Sequence, residues 1–255
     1  MQDIAFNTAN LVARVTDYRF ELTNWLDQHA KTAAATDDDA WRQICREIAE
    51  ADYRAVEVWV AHVDPATHDP AQIVRFRQIM DEHGLVPIGI AGGLATESCQ
   101  AAHHLDAGVV NGGFGNASKQ QIVAQLDRFG ISANHENHPE KNAQQIIEQV
   151  DLGDDRLGVA LDTGWLGTQG ADGPAVVREL GTRIRNVHVK DVRAAGGHET
   201  VPLGEGCVDL PGIFRELKAL DYDGWLSWED EPEDRNPMAI AVDMRQWIEQ
   251  QWEQA

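Results

Sequence analysis

The segment Arg185-Asn186-Val187-His188-Val189-Lys190-Asp191 decides the fold prediction, because its two faces have opposite chemistry. Side chains alternate along a strand, so the two valines share one face and the asparagine, histidine and lysine share the other. The apolar face can pack beneath helices. The polar face needs partners, because unpaired polar groups are costly to bury. The segment therefore predicts a buried strand whose polar face belongs to a larger site.

The composition indicates a folded domain without a membrane span. Of the 255 residues, 43% are apolar, and no apolar run reaches the roughly 18 residues of a spanning helix. The start of the chain, Met1-Gln2-Asp3-Ile4-Ala5-Phe6, lacks the basic and apolar regions of an export signal. Cys45, Cys99 and Cys207 are widely spaced and form no Cys-x-x-Cys pair, so we expect reduced thiols. These features predict a cytoplasmic protein that does not bind membranes.

The net charge of -21 argues against a nucleic-acid partner, because phosphate backbones are bound by neutralising lysines and arginines. Only five of the 21 basic residues are lysines. Such an acidic, lysine-poor surface fits a high-salt host, where self-repulsion is screened. Ordinary acidic solubility explains it equally well.

Eight short apolar segments alternate with helical patterns along the chain. The predicted strands are Ile4–Leu11, Ala55–Trp59, Leu85–Ala91, Ala107–Asn111, Ile131–Glu136, Leu157–Leu161, Ile184–Lys190 and Gly224–Trp228. The predicted helices are Asp38–Asp52, Pro70–His83, Ser98–Leu105, Ser118–Phe129, Pro139–Val150 and Met238–Trp252. Units of about 32 residues predict a single-domain (β/α)8 TIM barrel over residues 1–255. A doubly wound open sheet is the alternative, but no Gly-x-Gly-x-x-Gly follows the first strand.

Four residues of metal-binding type stand at or just after the ends of four predicted strands: Glu136, Asp162, His188 and Glu229. Reading each strand with period two places all four on the inward face, and barrel enzymes collect their catalytic groups at these strand ends. Three carboxylates and an imidazole suit Mn(II), or else Mg(II) or Co(II), better than a thiolate-bound zinc. Taken singly, each carboxylate could instead cap the next helix, and His188 could be a core histidine.

A divalent centre of this kind suits proton abstraction next to a carbonyl. The ion polarises a hydroxycarbonyl compound and stabilises its enediolate, while Glu136 and Glu229 take and return the proton. Glu57 lies on the inward face of the second strand, where it fits either a substrate contact or a buried salt bridge. Tyr18, Phe20 and Trp25 are candidates for a wall of the pocket.

Five motifs carry a resemblance to a known family: Ala133-Asn134-His135-Glu136-Asn137-His138, Leu161-Asp162-Thr163-Gly164, His188-Val189-Lys190-Asp191, Val201-Pro202-Leu203-Gly204-Glu205-Gly206 and Tyr222-Asp223-Gly224-Trp225-Leu226-Ser227-Trp228-Glu229. Together they resemble the xylose isomerase-like barrel superfamily, which includes sugar and sugar-phosphate isomerases and epimerases, inosose dehydratase, hydroxypyruvate isomerase and endonuclease IV. The resemblance implies a metal held by Glu136, Asp162, His188 and Glu229, with the two glutamates as acid and base.

One position departs from the family pattern. A substrate-binding histidine usually follows the family aspartate by three residues, and Trp165 stands there. Trp can stack on a sugar face but offers no imidazole to a hydroxyl. His138 could supply the imidazole, or it could cap a helix before Pro139.

Two cations near the end of the seventh strand are further candidates. Lys190 resembles a lysine of the dehydratase branch, where a cation steadies a leaving hydroxyl or an enolate. Pairing with Asp191 or Glu205 is the alternative. Arg193 could bind a substrate carboxylate or phosphate, or lie on the surface.

The first functional prediction is a metal-dependent isomerase or epimerase that acts on a small sugar or cyclitol. A carbon–oxygen lyase, such as an inosose-type dehydratase, is the runner-up. A non-catalytic accessory barrel is the third possibility, and it would need no stoichiometric metal. The net charge disfavours an endonuclease. Trp247 and Trp252 are candidates for the interface of a homo-oligomer.

Overall fold

Eight parallel strands close into a barrel in the computed structural model, which describes residues 3–255. Met1 and Gln2 lie outside the described residues, so the predicted domain range is seen only from residue 3. The barrel strands are β1 (Ile4–Asn7), β2 (Ala55–Trp59), β3 (Val86–Ala91), β4 (Val109–Asn111), β5 (Ser132–Glu136), β6 (Leu157–Asp162), β7 (Ile184–Val189) and β10 (Trp225–Trp228). Two short strands, β8 (Asp191–Val192) and β9 (Thr200–Val201), form an antiparallel hairpin after β7.

The order around the barrel is β1-β10-β7-β6-β5-β4-β3-β2. Closure comes from parallel pairing of the first and last barrel strands, in which Ile4 is opposite Leu226 and Phe6 is opposite Trp228. An open sheet would leave those edges unpaired. The predicted (β/α)8 barrel is therefore confirmed, and the doubly wound alternative is wrong.

Helices follow the barrel strands and cover the outside. They are α1 (Trp25–Ala35), α2 (Asp38–Glu50), α3 (Pro70–Glu82), α4 (Thr96–Leu105), α5 (Lys119–Phe129), α6 (Ala143–Val150), α7 (Thr163–Thr168), α8 (Gly173–Leu180), α9 (Leu210–Ala219) and α10 (Ala241–Gln254). Each predicted helix is present, but α6 begins at Ala143 rather than at Pro139. The reason is local, because the Asn142 side chain accepts the N–H of Gln145 and so caps the helix there.

The first strand is shorter than predicted. It ends at Asn7, whose side chain accepts the N–H of Ala9 and starts the 3-10 turn Thr8–Leu11. Four helices were not predicted, namely α1, α7, α8 and α9. Capping signals were present for two of them, because Asp172 and Asp209 each accept an N–H three residues on and each precedes a first turn that contains proline.

The hydrophobic core lies between the barrel and its helices and includes several aromatic rings. Trp228 is fully buried, with its ring centroid 5.5 Å from that of Phe6. Trp247 and Trp252, the candidates for a homo-oligomer interface, both pack against Phe214 of their own chain. No helix between Asp3 and Ala255 is long and apolar enough to cross a membrane.

Candidate active site

The predicted metal-binding residues meet at the carboxyl ends of the barrel strands. Glu136 ends β5, Asp162 ends β6, His188 lies near the end of β7, and Glu229 directly follows β10. All four line a cavity of about 680 Å³. In the described part of the chain, candidate ligand atoms of Glu136, His188 and Glu229 lie within 4.8 Å of one another. Glu136, His138 and Asp162 form a second group with the same spacing, so Glu136 joins the two groups.

His188 is the centre of this arrangement, and both of its ring nitrogens face carboxylates. Its Nδ1 lies 2.9 Å from Glu136 Oε1 and 3.5 Å from Glu229 Oε2. Its Nε2 lies 2.9 Å from Glu57 Oε1. Burial opposes a charge on the ring, but Glu229, Glu57 and Glu136 raise the pKa of His188 well above its ordinary value. Nδ1 is thus the nitrogen that faces the cavity, and Nε2 is held from below.

Glu57 lies beneath the cavity rather than in its wall. Its side chain is fully buried and accepts hydrogen bonds from Asn111 Nδ2 at 2.8 Å and Asn186 Nδ2 at 3.1 Å, besides facing His188. Burial opposes the charge of this carboxyl, but His188 and the hydrogen bonds lower its pKa. Of the two possibilities for Glu57, the structure shows the buried ion pair, because His188 stands between it and the cavity.

Lys190 extends into the cavity and faces three carboxylates. Its Nζ lies 2.6 Å from Glu231 Oε2, 2.9 Å from Glu229 Oε2 and 3.4 Å from Asp162 Oδ2. Burial acts against the ammonium, but these neighbours raise its pKa well above the usual value. The alternative pairing with Asp191 or Glu205 is not seen.

Glu231 was missed by the sequence reasoning. Its backbone φ is +49°, a left-handed conformation that is uncommon outside glycine and that directs the chain just after β10. Two positions after Glu229, this carboxylate reaches the ammonium of Lys190. The acidic run that follows β10 was the available signal.

Glu136 and Glu229 differ in their affinity for a proton. Burial opposes ionisation of both groups. At Glu136 the neighbouring His138 and His188 outweigh burial and lower the pKa. At Glu229 burial dominates over His188 and Lys190, and it raises the pKa to about 8. The environment thus lowers the proton affinity of Glu136 and raises that of Glu229.

Asp162 serves two purposes at the start of α7. Its Oδ1 accepts the N–H of Trp165 at 3.0 Å and caps the helix, as the helix-cap alternative predicted. Its Oδ2 faces the cavity, 3.0 Å from His138 Nε2. Burial opposes ionisation, but Lys190 and His138 hold the pKa of Asp162 well below its ordinary range. Burial likewise opposes a charge on His138, yet Glu136 and Asp162 raise its pKa to about 9.

Trp165 presents a ring face at the rim of the cavity. Its Nε1 donates to the carbonyl of Glu140 at 2.8 Å, which fixes the indole. The ring is stacked on His198, with centroids 5.7 Å apart and planes 27° apart, and it also lies against His138. His198 comes from the β8–β9 hairpin, which the sequence reasoning did not predict.

The remaining predicted residues fall on different sides of the cavity wall. Phe20 and Trp25 line the cavity, as predicted, whereas Tyr18 does not and packs against the hydrophobic core. Arg193 does not line it, because its guanidinium pairs with Glu199 at 2.7 Å on the outer part of the hairpin, and both side chains are more than half exposed. A substrate in the cavity would meet the hairpin through His198 rather than through Arg193.

The donor set fits a divalent cation. Carboxylates outnumber cations around His188, and hard oxygen donors with one imidazole suit Mn(II), Mg(II) or Co(II). Glu229 Oε2 is buried and has no well-aligned hydrogen bond from residues 3–255, although it forms ion pairs with Lys190 Nζ at 2.9 Å and His188 Nδ1 at 3.5 Å. A buried carboxylate oxygen with incomplete hydrogen bonding fits the role of a metal ligand. Glu136, Asp162, His188 and Glu229 are the residues that would hold it, with Glu57 orienting the imidazole from behind.

Two curated relatives are similar to parts of the chain. One is the inosose dehydratase of Clostridium beijerinckii, 30% identical in an alignment of 130 positions that covers 43% of this chain and 43% of the relative. The other is the putative L-ribulose-5-phosphate 3-epimerase SgbU of Escherichia coli, 34% identical in an alignment of 102 positions that covers 37% of this chain and 35% of the relative. The matches thus span less than half of each relative. Both relatives bear the names of enzymes.

Solved structures share the fold at low sequence identity. An L-ribulose 3-epimerase superposes with a TM-score of 0.73 at 18% identity, covering 100% of this chain and 95% of the other. The probable 3-DHS dehydratase AsbF of Bacillus anthracis gives 0.68 at 16% identity, covering 97% and 99%. A model of the family described as "Xylose isomerase-like TIM barrel" matches residues 45–251. With most of its length matched by that model, the chain belongs to the xylose isomerase-like TIM barrel family.

Proposed function

We propose that this protein is a divalent-metal-dependent isomerase or epimerase that removes the proton next to the carbonyl of a small sugar or cyclitol. The observation that carries the proposal is that Glu136 and Glu229 both approach His188 Nδ1, at 2.9 and 3.5 Å. They come from β5 and from the end of β10, and the barrel order places β6 and β7 between those strands. Two carboxyl groups that approach one centre from different strands can act as base and acid.

Each polar residue of the site has a distinct role in this proposal. Glu136, whose environment favours the carboxylate, takes the proton, and Glu229 supplies one. Glu57 holds His188 Nε2 and so keeps Nδ1 turned to the cavity. Glu136, Asp162, His188 and Glu229 would hold a divalent ion, which would supply Lewis-acid polarisation of the carbonyl and stabilisation of developing negative charge.

The rim would bind the rest of the substrate. The face of Trp165 can cover the apolar side of a sugar or cyclitol ring. His138, between Trp165 and Asp162, offers its imidazole to a hydroxyl. Membership of the family supports a sugar or cyclitol as the substrate and leaves both candidate reactions open, because the named relatives and structural neighbours include epimerases and dehydratases.

Hydrogen exchange in heavy water tests the reaction. The protein is incubated with Mn(II) and a panel of ketoses, ketosugars and inososes, and the products are followed by NMR. Deuterium at the carbon next to the carbonyl, with unchanged composition, is the expected result. Glu136→Gln should slow exchange by about 10² to 10⁴-fold. Glu148→Gln, an exposed change on α6, is the matched control.

A panel without exchange, together with no stoichiometric divalent ion in the purified protein, would contradict the proposal and favour the accessory barrel.

A lyase is the second candidate, and Lys190 is the observation that favours it. Its ammonium lies in the cavity between Asp162, Glu229 and Glu231, where it can protonate or steady a departing hydroxyl. Lys190→Met should then abolish loss of water while deuterium exchange continues. If Lys190→Met lost water elimination and deuterium exchange equally, Lys190 would no longer favour the lyase over the isomerase.

A further inference from the structure

We propose that the cavity accepts uncharged polyhydroxy substrates and excludes phosphorylated or carboxylated ones. The inference rests on the proposed function, because it assigns the substrate class of the same site. It separates the chemistry of the two relatives, one named for an inosose and the other for a sugar phosphate. The two classes of substrate differ in whether an anionic group must find partners in the cavity.

The loop after the eighth barrel strand is acidic where barrel enzymes often bind phosphate. Such phosphate sites are commonly built by the loops after strands seven and eight. Here the eighth barrel strand is β10, and the next residues read Glu-Asp-Glu-Pro-Glu-Asp-Arg from 229 to 235. The side chains of Glu229, Glu231, Glu233 and Asp234 line the cavity. A phosphate in the usual place would meet carboxylates.

The loop after the seventh barrel strand has backbone amides that suit an anion, but the chain fills them itself. The buried carboxylate of Asp191 accepts the N–H groups of Gly204 and Gly206 at 3.0 and 2.9 Å. It also accepts those of Val192 and Val208 at 2.9 and 3.1 Å. Converging amides of this kind form an anion-binding nest. With Asp191 in it, this nest has no room for a substrate anion.

The cations of the cavity are also engaged. Lys190 faces three carboxylates, as described above. Arg235 pairs with Asp230 at 2.5 Å and donates to the carbonyl of Thr200 at 3.3 Å. The first turn of α7 already donates to Asp162. Lys190 and both terminal nitrogens of Arg235 therefore already have partners within the chain, whereas Arg235 Nε has none among residues 3–255.

The charges of the residues that line the cavity also disfavour an anionic substrate. Seven acidic residues line the cavity, against the two cations Lys190 and Arg235. Glu199 pairs with Arg193 on the outer part of the hairpin, and a divalent ion would offset two further charges, which leaves four carboxylates against the two cations. Like charges placed together cost enough to weaken binding at least about 100-fold. The penalty should shrink at high salt, which screens the charges at the open rim.

Binding of a matched pair tests the inference. L-ribulose and L-ribulose 5-phosphate differ in the charged group, which in the ester also prevents ring closure through O5. Each is titrated into the full chain by calorimetry, together with 5-deoxy-L-ribulose, an uncharged control that cannot close that ring either. Free Mn(II) is held constant, because phosphate binds the ion. We expect L-ribulose to bind at least about 100-fold more tightly, with a ratio that falls as salt rises.

A paired variant identifies the source of the preference. Glu233→Gln with Asp234→Asn removes two charges from the rim and should reduce the ratio about tenfold. Glu179→Gln with Glu253→Gln removes the same charge from exposed positions on α8 and α10 and should leave the ratio unchanged. Equal effects of the two double variants would overturn the inference.

The outcomes separate this inference from the proposed function. Equal or tighter binding of the phosphate ester overturns the inference alone, since the ester can still undergo exchange. Selective binding of L-ribulose without hydrogen exchange supports the inference and contradicts the proposed reaction. If neither compound nor any uncharged member of the exchange panel binds, both are overturned.

Discussion

Glu57 is the residue at which the support of the site can be separated from the stability of the barrel. Its Oε1 faces both Asn111 Nδ2 and His188 Nε2, while its Oε2 accepts from Asn186. The Ser227 hydroxyl is a further hydrogen-bond partner of this carboxylate. Asn186 Oδ1 is buried and, within residues 3–255, has no hydrogen-bond partner. A glutamine at position 57 can therefore keep its oxygen towards His188 and direct its amide to Asn186, whose side chain only has to flip.

This geometry predicts different costs for two substitutions. Glu57→Gln keeps the shape and most hydrogen bonds but loses the charge, so we expect a loss of unfolding free energy below about 2 kcal/mol. Metal affinity should fall by about 10 to 100-fold, because the imidazole loses its anionic support. Glu57→Ala strands three buried donors, on Asn111, Asn186 and His188, and opens a cavity. Its expected cost is about 3–5 kcal/mol.

Two measurements check these values. Free Mn(II) is followed by electron paramagnetic resonance during titration of each variant, and urea unfolding with EDTA gives the stability. Glu50→Gln, at an exposed position on α2, serves as a surface control. Manganese affinity of Glu57→Gln within threefold of the parent would refute the role assigned to Glu57. A loss of unfolding free energy below about 1 kcal/mol for Glu57→Ala would refute the account of the hydrogen bonds made by Glu57.

Three further results are expected away from the ligand set. Burial lowers the pKa of His62 to about 3, so only the unfolded chain takes up this proton below about pH 6.5, and stability falls as the pH drops. Between pH 6.5 and 4.5 the free energy of unfolding should fall by about 2.5 kcal/mol through His62 alone. In His62→Gln, urea unfolding should therefore show a pH dependence that is weaker by that amount. Asp191→Ala deprives four amides of their acceptor and should lower the unfolding free energy by at least about 3 kcal/mol in the same assay, whereas an unchanged value would contradict the anion-nest account. Cys207 is exposed, whereas burial raises the pKa of Cys45 to about 12 and that of Cys99 to about 11, so a thiol reagent should modify one cysteine in the native protein and three after unfolding.

The fold could be predicted because the interior of a barrel obeys a period of two. Strand β2 was predicted with its observed bounds, and β7 differs only in that Lys190 lies just beyond it. The short helix α7 was missed because six residues give too little periodicity to detect. The β8–β9 hairpin was missed because its strands have two residues each, and its position depends on the amides gathered by Asp191 rather than on any local pattern.

Site residues on strands could be predicted from the alternation of side chains, whereas site residues on loops could not. Glu136 and His188 belong to strands, so their direction follows from alternation. Glu231 depends on a left-handed backbone, and His198 on the path of a hairpin, neither of which sequence spacing encodes. Arg193 shows the same limit, because its neighbour Glu199 draws the guanidinium away from the cavity.

The layer of polar side chains beneath the cavity gives a physical reason to connect this barrel with catalysis. Asn7 donates to Glu229 at 2.7 Å, and Asn134 donates to Asn111, which donates to Glu57 at 2.8 Å. Apolar side chains of similar volume are often as stabilising as a buried ionic network, or more so by about 1–4 kcal/mol. A barrel that served only as a scaffold would gain from such a replacement. The network instead fixes the orientation of a histidine and a glutamate that face the cavity, so its cost is explained if those two groups must be held in place for chemistry.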